Sequence, residues 1–318
     1  MKKRILFITH RNPQGYRIQQ YFPFLEKRGF EVELCTTEST FLQLLERVRA
    51  ADVVYIQRLL LSSLKLPVMR KLAKRIVFDY DDAIMYGAKG ESPTRRRKFK
   101  RMIAAADAVL AGNIFLLEEA KRHRHDALHY VPTVVDTGEY PVKVHERSVN
   151  PVMGWIGSSS TLRYIRDIKG LIASFLKAGQ YSFEVVADAP PDFELTGMIF
   201  RKWEKEKEKA ILLNFDIGIM PLTDDTWSRG KCGLKLIQYM ALGLPSITNP
   251  VGAANEIITD GVDGFLRTKL EEWETVAKEL AADPDLRRKV GKAARETVEE
   301  RYSLRVWGPR VAEIIDSL

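Results

Sequence analysis

The chain has 318 residues, 45% of them hydrophobic, and a formal charge of +8. That length favours two domains of about 150 residues each over one, and two cysteines, Cys35 and Cys232, exclude a disulfide framework and a close-spaced zinc motif. The charge is uneven: residues 1–150 hold 27 Lys and Arg against 17 Asp and Glu, a formal +10, which leaves −2 for the remainder. Such asymmetry points the first half toward an anionic partner.

The opening MKKRILFITHR has a basic start but a short apolar run, too short for a signal-peptide core, and reads as a first strand. No stretch approaches the roughly 18 apolar residues of a spanning helix. The expected location is therefore cytoplasmic, with peripheral contact to the inner face of a membrane. Strands are predicted at 5–10, 31–35, 53–57, 76–80, 108–111 and 129–132, with helices over 18–27, 41–50, 66–74 and 97–106 between them. After a polar stretch near 141–150 the pattern restarts, with strands at 152–156, 182–187, 211–213, 217–220 and 246–248. Continuous apolar strands alternating with helices indicate a parallel sheet covered on both faces. The last 50 residues read as helical and charged.

The stretch from Ile217 to Leu266 is the most informative. A short strand breaks into a polar loop, and order resumes at Gly230-Lys231-Cys232-Gly233. A helix then runs from about Leu234 to Leu242, stopped by Gly243 and Pro245. Strand SITN and a second glycine-opened helix from about Ala253 follow. Helix starts at the carboxyl ends of strands are where α/β folds bind phosphates. Gly233 and Leu234 would offer free backbone N–H groups there. Lys231 and Lys235, four residues apart, can share one face of that turn, and Arg229 lies just upstream.

FDIGIMPLTDDTWSRGKCGLKLIQYMALGLPSITNPVGAANEIITDGVDGFL resembles the donor-binding half of glycosyltransferases of the GT-B fold, and more narrowly family 4, the glycogen-synthase-like retaining group. GWIGSSSTLRYI, VPTVVDTGEY, FDYDDAI and the closing ERYSLRVWGPRVAEII resemble further segments of that group. The resemblance implies an α/β GT-B architecture of two facing Rossmann-like domains with an interdomain cleft and a C-terminal helix crossing back to the first domain. The implied division is an acceptor-binding domain at 1–145, a nucleotide-sugar-binding domain at 146–300, and a helix at 301–318 packing back on the first. The implied activity is transfer of a sugar from a UDP- or GDP-linked donor to an acceptor hydroxyl, with retention and with neither metal nor further cofactor. Closure of the cleft would align acceptor and donor.

The chain departs from the family pattern at two glutamates, which fall on Gly230 and Gln238 when aligned backwards from Gly243-Leu244-Pro245. Gln238 can still hydrogen-bond a ribose hydroxyl as a neutral amide. Asp224 or Asp225 would replace the acid lost at Gly230, and Glu256 is the other acidic candidate for the sugar. Ser158-Ser159-Ser160 stand where the family has basic residues, a role Lys231 and Lys235 would assume. Base recognition is expected around Phe200–Glu204.

Gly157 and Ser158 form either a polar turn facing the diphosphate or a helix cap, or both. In the loop His10–Arg17, Gly15 would let backbone approach the donor phosphates and Arg17 would neutralise them. His10, without a partner in sequence, reads as structural more readily than as a base. Asp79-x-Asp81 has the spacing of a metal site, but the two-Rossmann pattern favours Asp81 or Asp82 orienting the acceptor. Arg58, at another strand end, would reach an anionic group.

Arg95, Arg96, Arg97, Lys98, Lys100 and Arg101 crowd six charges into seven residues at a helix start, the unfavourable end for cations. With Phe99 and Met102 this helix is expected to meet an anionic membrane or acceptor, each charge adding about 1 kcal/mol; a solvated basic face is the alternative. No recognition helix accompanies it, so nucleic acid is not expected. The expected partners are a nucleotide sugar and a sugar or lipid-linked acceptor. A nucleotide-sugar 2-epimerase of the same fold and a catalytically silent sugar-nucleotide binder are the rival functions.

Overall fold

The structure is a computed structural model, and it describes residues 2–10, 16–36, 40–87, 90–148, 150–177, 179 and 181–318. It divides into two compact units. The first comprises Met1–Val134, Asp225–Cys232 and Leu304–Leu318; the second comprises Val135–Asp224 and Gly233–Ser303.

The first unit contains β1 (Lys3–Thr9), α1 (Phe22–Lys27), β2 (Phe30–Thr36), α2 (Phe41–Ala50), β3 (Val53–Gln57), α3 (Lys65–Leu72), β4 (Arg75–Tyr80), α4 (Pro93–Ala105), β5 (Ala108–Ala111), α5 (Ile114–Lys121) and β6 (Leu128–Tyr130). The second begins with β7 (Val152–Ile156), α6 (Arg163–Asp167), α7 (Lys169–Lys177), β8 (Ser182–Ala187), β9 (Met198–Lys202), α8 (Glu208–Leu213) and β10 (Ile217–Met220). The short α9 (Thr226–Arg229) then folds with the first unit. The second resumes with α10 (Leu234–Ala241), β11 (Ser246–Thr248), α11 (Ala254–Ile257), β12 (Phe265–Leu266), α12 (Leu270–Ala282) and α13 (Pro284–Arg301). The last helix, α14 (Leu304–Asp316), returns to the first unit.

Each unit is built on one six-stranded sheet, and every strand pair is parallel. The alternation of strand side chains explains why both faces are covered. Leu6 and Ile8 of β1 enter one core with Val48, Met69 and Phe99, while Ile5 and Phe7 enter another with Leu25, Val311 and Ile315. The first sheet runs β2-β1-β3-β4-β5-β6, and the second β12-β11-β10-β7-β8-β9. Strand order therefore reverses between β1 and β3 in one unit and between β7 and β10 in the other. Doubly wound sheets bind ligands outside the carboxyl ends of the strands at such points.

Two sequence expectations fail here. Residues 211–213, predicted as a strand, form the end of α8, whose buried residues are Glu208 and Leu212. Strands β9 and β12 were not predicted. β9 has a mixed, half-exposed sequence at the sheet edge, and β12 is two residues long.

Beneath the carboxyl edge of the first sheet, Arg17 and Asp79 form a buried ion pair. Arg17 Nη2 lies 2.6 Å and Nε 3.0 Å from Asp79 Oδ1, and Nη1 donates to the carbonyls of Val131 and Pro132. Burial pushes the Asp79 carboxyl up to about 6, against the pull of Arg17. A charge so placed is tolerated only with its partner. Asp79→Ala is therefore expected to lower stability by about 3–5 kcal/mol in urea unfolding. The double replacement Arg17→Met with Asp79→Leu should recover most of that loss. A single-variant loss below about 1 kcal/mol would show that the pair holds little.

Candidate active site

In the first unit, chemistry gathers where β3 and β4 end. Arg58, the residue after β3, has φ +58°, a left-handed conformation that a non-glycine residue rarely holds without a structural reason. Its backbone N–H donates to the Asp79 carbonyl at 2.8 Å. Its guanidinium meets both carboxylates beyond β4: Nε is 3.3 Å from Asp81 Oδ1, and Nη2 pairs with Asp82 Oδ2. Asp81 also accepts from Gln57 Nε2 at 3.4 Å, and Gln57 accepts from Thr9 Oγ1 at 2.7 Å.

The segment Asp225–Cys232 supplies the third charge. Lys231 Nζ lies 3.3 Å from Asp82 Oδ1 and 4.7 Å from the centre of the Trp227 ring. Asn113 anchors this segment: its Oδ1 caps α5 at Leu116 N, while Nδ2 donates to the carbonyls of Arg229 (2.9 Å) and Lys231 (3.0 Å). Cys232 Sγ donates to the Asp81 carbonyl at 3.2 Å. The approach requires glycine on both sides. A Cβ at Gly112 would lie 2.5 Å from Cys232 Sγ, and one at Gly230 would lie 2.5 Å from Ala83 Cβ. Gly230 therefore leaves no room for a glutamate in this packing. Asp225, a candidate substitute for that acid, instead caps α9, accepting from Ser228 N at 2.7 Å.

Asp81, Asp82, Arg58 and Lys231 are thus brought together, a pair of carboxylates held and neutralised by two cations. Such a group can accept a hydrogen bond from a hydroxyl and fix its direction. The Asp79-x-Asp81 spacing does not yield a shared site, because both Asp79 oxygens face Arg17. Among the described residues no three His, Cys, Asp or Glu side chains gather to hold a metal.

In the second unit, Gly233 has φ +70° at the start of α10, and a Cβ there would overlap Ile257. Lys235, on the first turn, places Nζ 4.2 Å from the centre of the Trp155 ring, beside Gly157. The turn after β7 is polar, and Ser158, read as a possible helix cap, makes no side-chain cap there. Asp188 accepts from Ser159 N at 2.5 Å and from Ser159 Oγ at 3.0 Å, which holds its carboxyl below the usual range, and Ser158 bonds Ser160. Glu256 lies on α11, half-buried, and its carbonyl accepts from Tyr302 and Arg301.

Three expectations are corrected. Arg17, predicted to neutralise donor phosphates, is buried and committed to Asp79. Gln238, predicted to reach a ribose, is 2% exposed and donates to Glu208 Oε1 (2.6 Å) and the Tyr140 hydroxyl (3.3 Å). Phe99 and Met102, predicted to lie on a membrane, are core residues, and Phe99 packs edge-on to Tyr80. In the basic helix, Arg96 pairs with Glu91 and Arg95 donates to the Ile84 carbonyl, while Arg97, Lys100 and Arg101 are exposed. Gly15 lies outside the described residues.

Sequence reasoning missed Glu208, which also accepts from Trp203 Nε1 at 2.6 Å, and Asn113. Nothing in EKEKEKA marks one glutamate as buried, and Gly-Asn before an apolar helix signals only a cap.

Residues 161–283 match the family model described as Glycosyl transferases group 1. No curated protein matches by sequence. Among solved structures, HepE from Anabaena in complex with UDP and glucose overlays with a TM-score of 0.79 at 15% identity, covering 99% of this chain and 100% of that one. The fold is GT-B. Sucrose-phosphate synthase from Thermosynechococcus elongatus follows at 0.78 and 15%, with 99% of each chain covered. The apo lipopolysaccharide outer core galactosyltransferase WaaB overlays at 0.72 and 14%, again with 99% of each.

The Gln238–Glu208 contact makes a test within this GT-B chain. Gln238→Glu would set two buried carboxylates at hydrogen-bond distance, so their shared proton binds more tightly in the folded state. Stability should match the parent at low pH. It should then fall by about 1.4 kcal/mol for each pH unit crossed between the unfolded carboxylate pKa and the raised folded one. Urea unfolding at pH 5 and pH 8 checks it, and equal losses at both would refute the burial argument.

Proposed function

We propose that this protein is a glycosyltransferase that moves a sugar from a nucleotide diphosphate sugar, UDP- or GDP-linked, to an acceptor hydroxyl. The observation that carries the reading is where the family match falls. Residues 161–283 include the turn at Gly233 and the helix start bearing Lys235. Retention follows the family 4 resemblance, and the scheme uses no metal. A sugar or lipid-linked acceptor and a peripheral membrane location complete the reading. No helix among the described residues is long and apolar enough to cross a membrane.

In this reading the Gly233 and Leu234 N–H groups and the Lys235 ammonium bind the diphosphate and stabilise the charge that grows on it as the bond to the anomeric carbon breaks. The acceptor oxygen forms the new bond to that carbon, and its proton leaves with the diphosphate. Asp82 orients the acceptor hydroxyl, and Arg58 holds Asp82 in place. Lys231, first read as a donor cation, becomes a positioning residue for the same carboxylate.

A thermal-shift screen with UDP, GDP, ADP, CMP and their common sugars tests donor binding; stabilisation by UDP or GDP is expected and should vanish in Lys235→Ala. No stabilisation by any nucleotide would sink the reading. With the matching donor and an acceptor, Asp82→Asn should lower kcat about 100-fold or more while donor binding stays intact. Turnover of the donor alone into an epimer would instead identify an epimerase, and binding without any turnover a silent binder.

A further inference from the structure

At the switch point of the first sheet lies a cavity of about 470 Å³, within the range of small-molecule sites. Its walls are hydrocarbon: Ile8 comes from the end of β1, Leu44 from α2, Leu59 and Leu60 from the segment after β3, and Ile84 from the turn after β4. Beside His10, its polar lining is cationic: Arg58 follows β3, Lys65 opens α3, and Arg95 and Lys98 come from α4, with no carboxylate among the described lining residues. Arg58 joins the cavity directly to Asp81 and Asp82.

The two halves of this lining ask for different chemistry. A free sugar needs directed hydrogen bonds, which leucine walls do not supply. Hydrocarbon needs only apolar cover, which they do. Among the described residues, Lys65, Arg95 and Lys98 have no carboxylate partner. Lys65 stands over the Phe41 ring at 5.0 Å, and Arg95 donates to the Ile84 carbonyl. Concentrated positive charge without counter-charge favours an anionic ligand. Next to lining residues in sequence, Leu42 and Leu64 are 76% and 82% exposed, and Val68, one turn along α3 from Lys65, is 42% exposed. Large apolar side chains in water beside lysines match the surface of helices that rest on a lipid interface.

We propose that this cavity binds an amphiphilic anion, a lipid phosphate. Its alkyl or prenyl segment lies along the leucine walls, and its phosphate sits on Lys65, Arg95 and Lys98. The lipid carries the acceptor group to the Arg58–Asp82 pair, so this inference rests on the glycosyltransferase reading for its purpose but not for the binding itself. The basic helix α4 contributes through Arg95 and Lys98, the two of its cations that line the cavity.

Isothermal titration of the full chain with decyl phosphate, below its micelle-forming concentration, tests the proposal. Saturable binding at one site is expected, with inorganic phosphate, decanol and decyltrimethylammonium each at least about tenfold weaker. Lys65→Glu with Lys98→Glu should weaken decyl phosphate about tenfold or more and leave UDP binding unchanged. Leu60→Asp should weaken it similarly through the wall. Equal binding of inorganic phosphate would reduce the site to a simple anion site and overturn the proposal. So would equal binding of the cationic amphiphile, or indifference to all three substitutions. UDP binding without decyl phosphate binding defeats this inference alone. Decyl phosphate binding without any nucleotide binding defeats the glycosyltransferase reading and leaves the lipid site standing.

Discussion

A buried charge pair organises the carboxyl edge of the first sheet. Arg17 holds the side chain of Asp79 and two carbonyls after β6, so three segments converge on one guanidinium. The main chain of Asp79 then takes the next step, accepting from the N–H of Arg58. That bond helps keep Arg58 in its left-handed conformation, from which its side chain meets Asp81 and Asp82. Lys231 closes the series on Asp82. A structural ion pair below and a chemical cluster above are thus linked through one strand end. A buried pair of this kind is weak evidence for stability, since desolvation offsets much of its attraction, but it fixes geometry well.

The residues at 230 and 238 both have packing reasons. Glycine stands at 230 because the segment Asp225–Cys232 lies against Ala83, where any side chain would collide. The amide at 238 faces a glutamate, Glu208, which the same structure uses to satisfy Trp203. The basic helix resolves similarly: its apolar residues are core, while Arg95 and Lys98 reach the cavity at the sheet's switch point.

Much of the architecture was legible in the sequence because it rests on local periodicity. Strands 53–57, 108–111, 152–156, 182–187 and 217–220 stand where the apolar runs placed them. Failures occurred where local pattern and tertiary environment disagree, as in α8, whose apolar end mimics a strand, and in the edge strands β9 and β12. The candidate site was legible in part. Asp81, Asp82, Arg58 and Lys231 were each singled out, but as separate readings at separate places.

What the sequence determined by itself was the α/β alternation, the glycine-opened helix at Gly233 and the uneven charge, because each is a property of neighbouring residues. Only the tertiary structure decided which charges meet. Arg17 was turned inward, Lys231 was brought 149 positions along the chain to Asp82, and Gln238 was closed off by Glu208. Charge pairing acts over a few ångströms of space and carries no mark in sequence distance, so the sequence names Lys231 and Asp82 without showing that they pair.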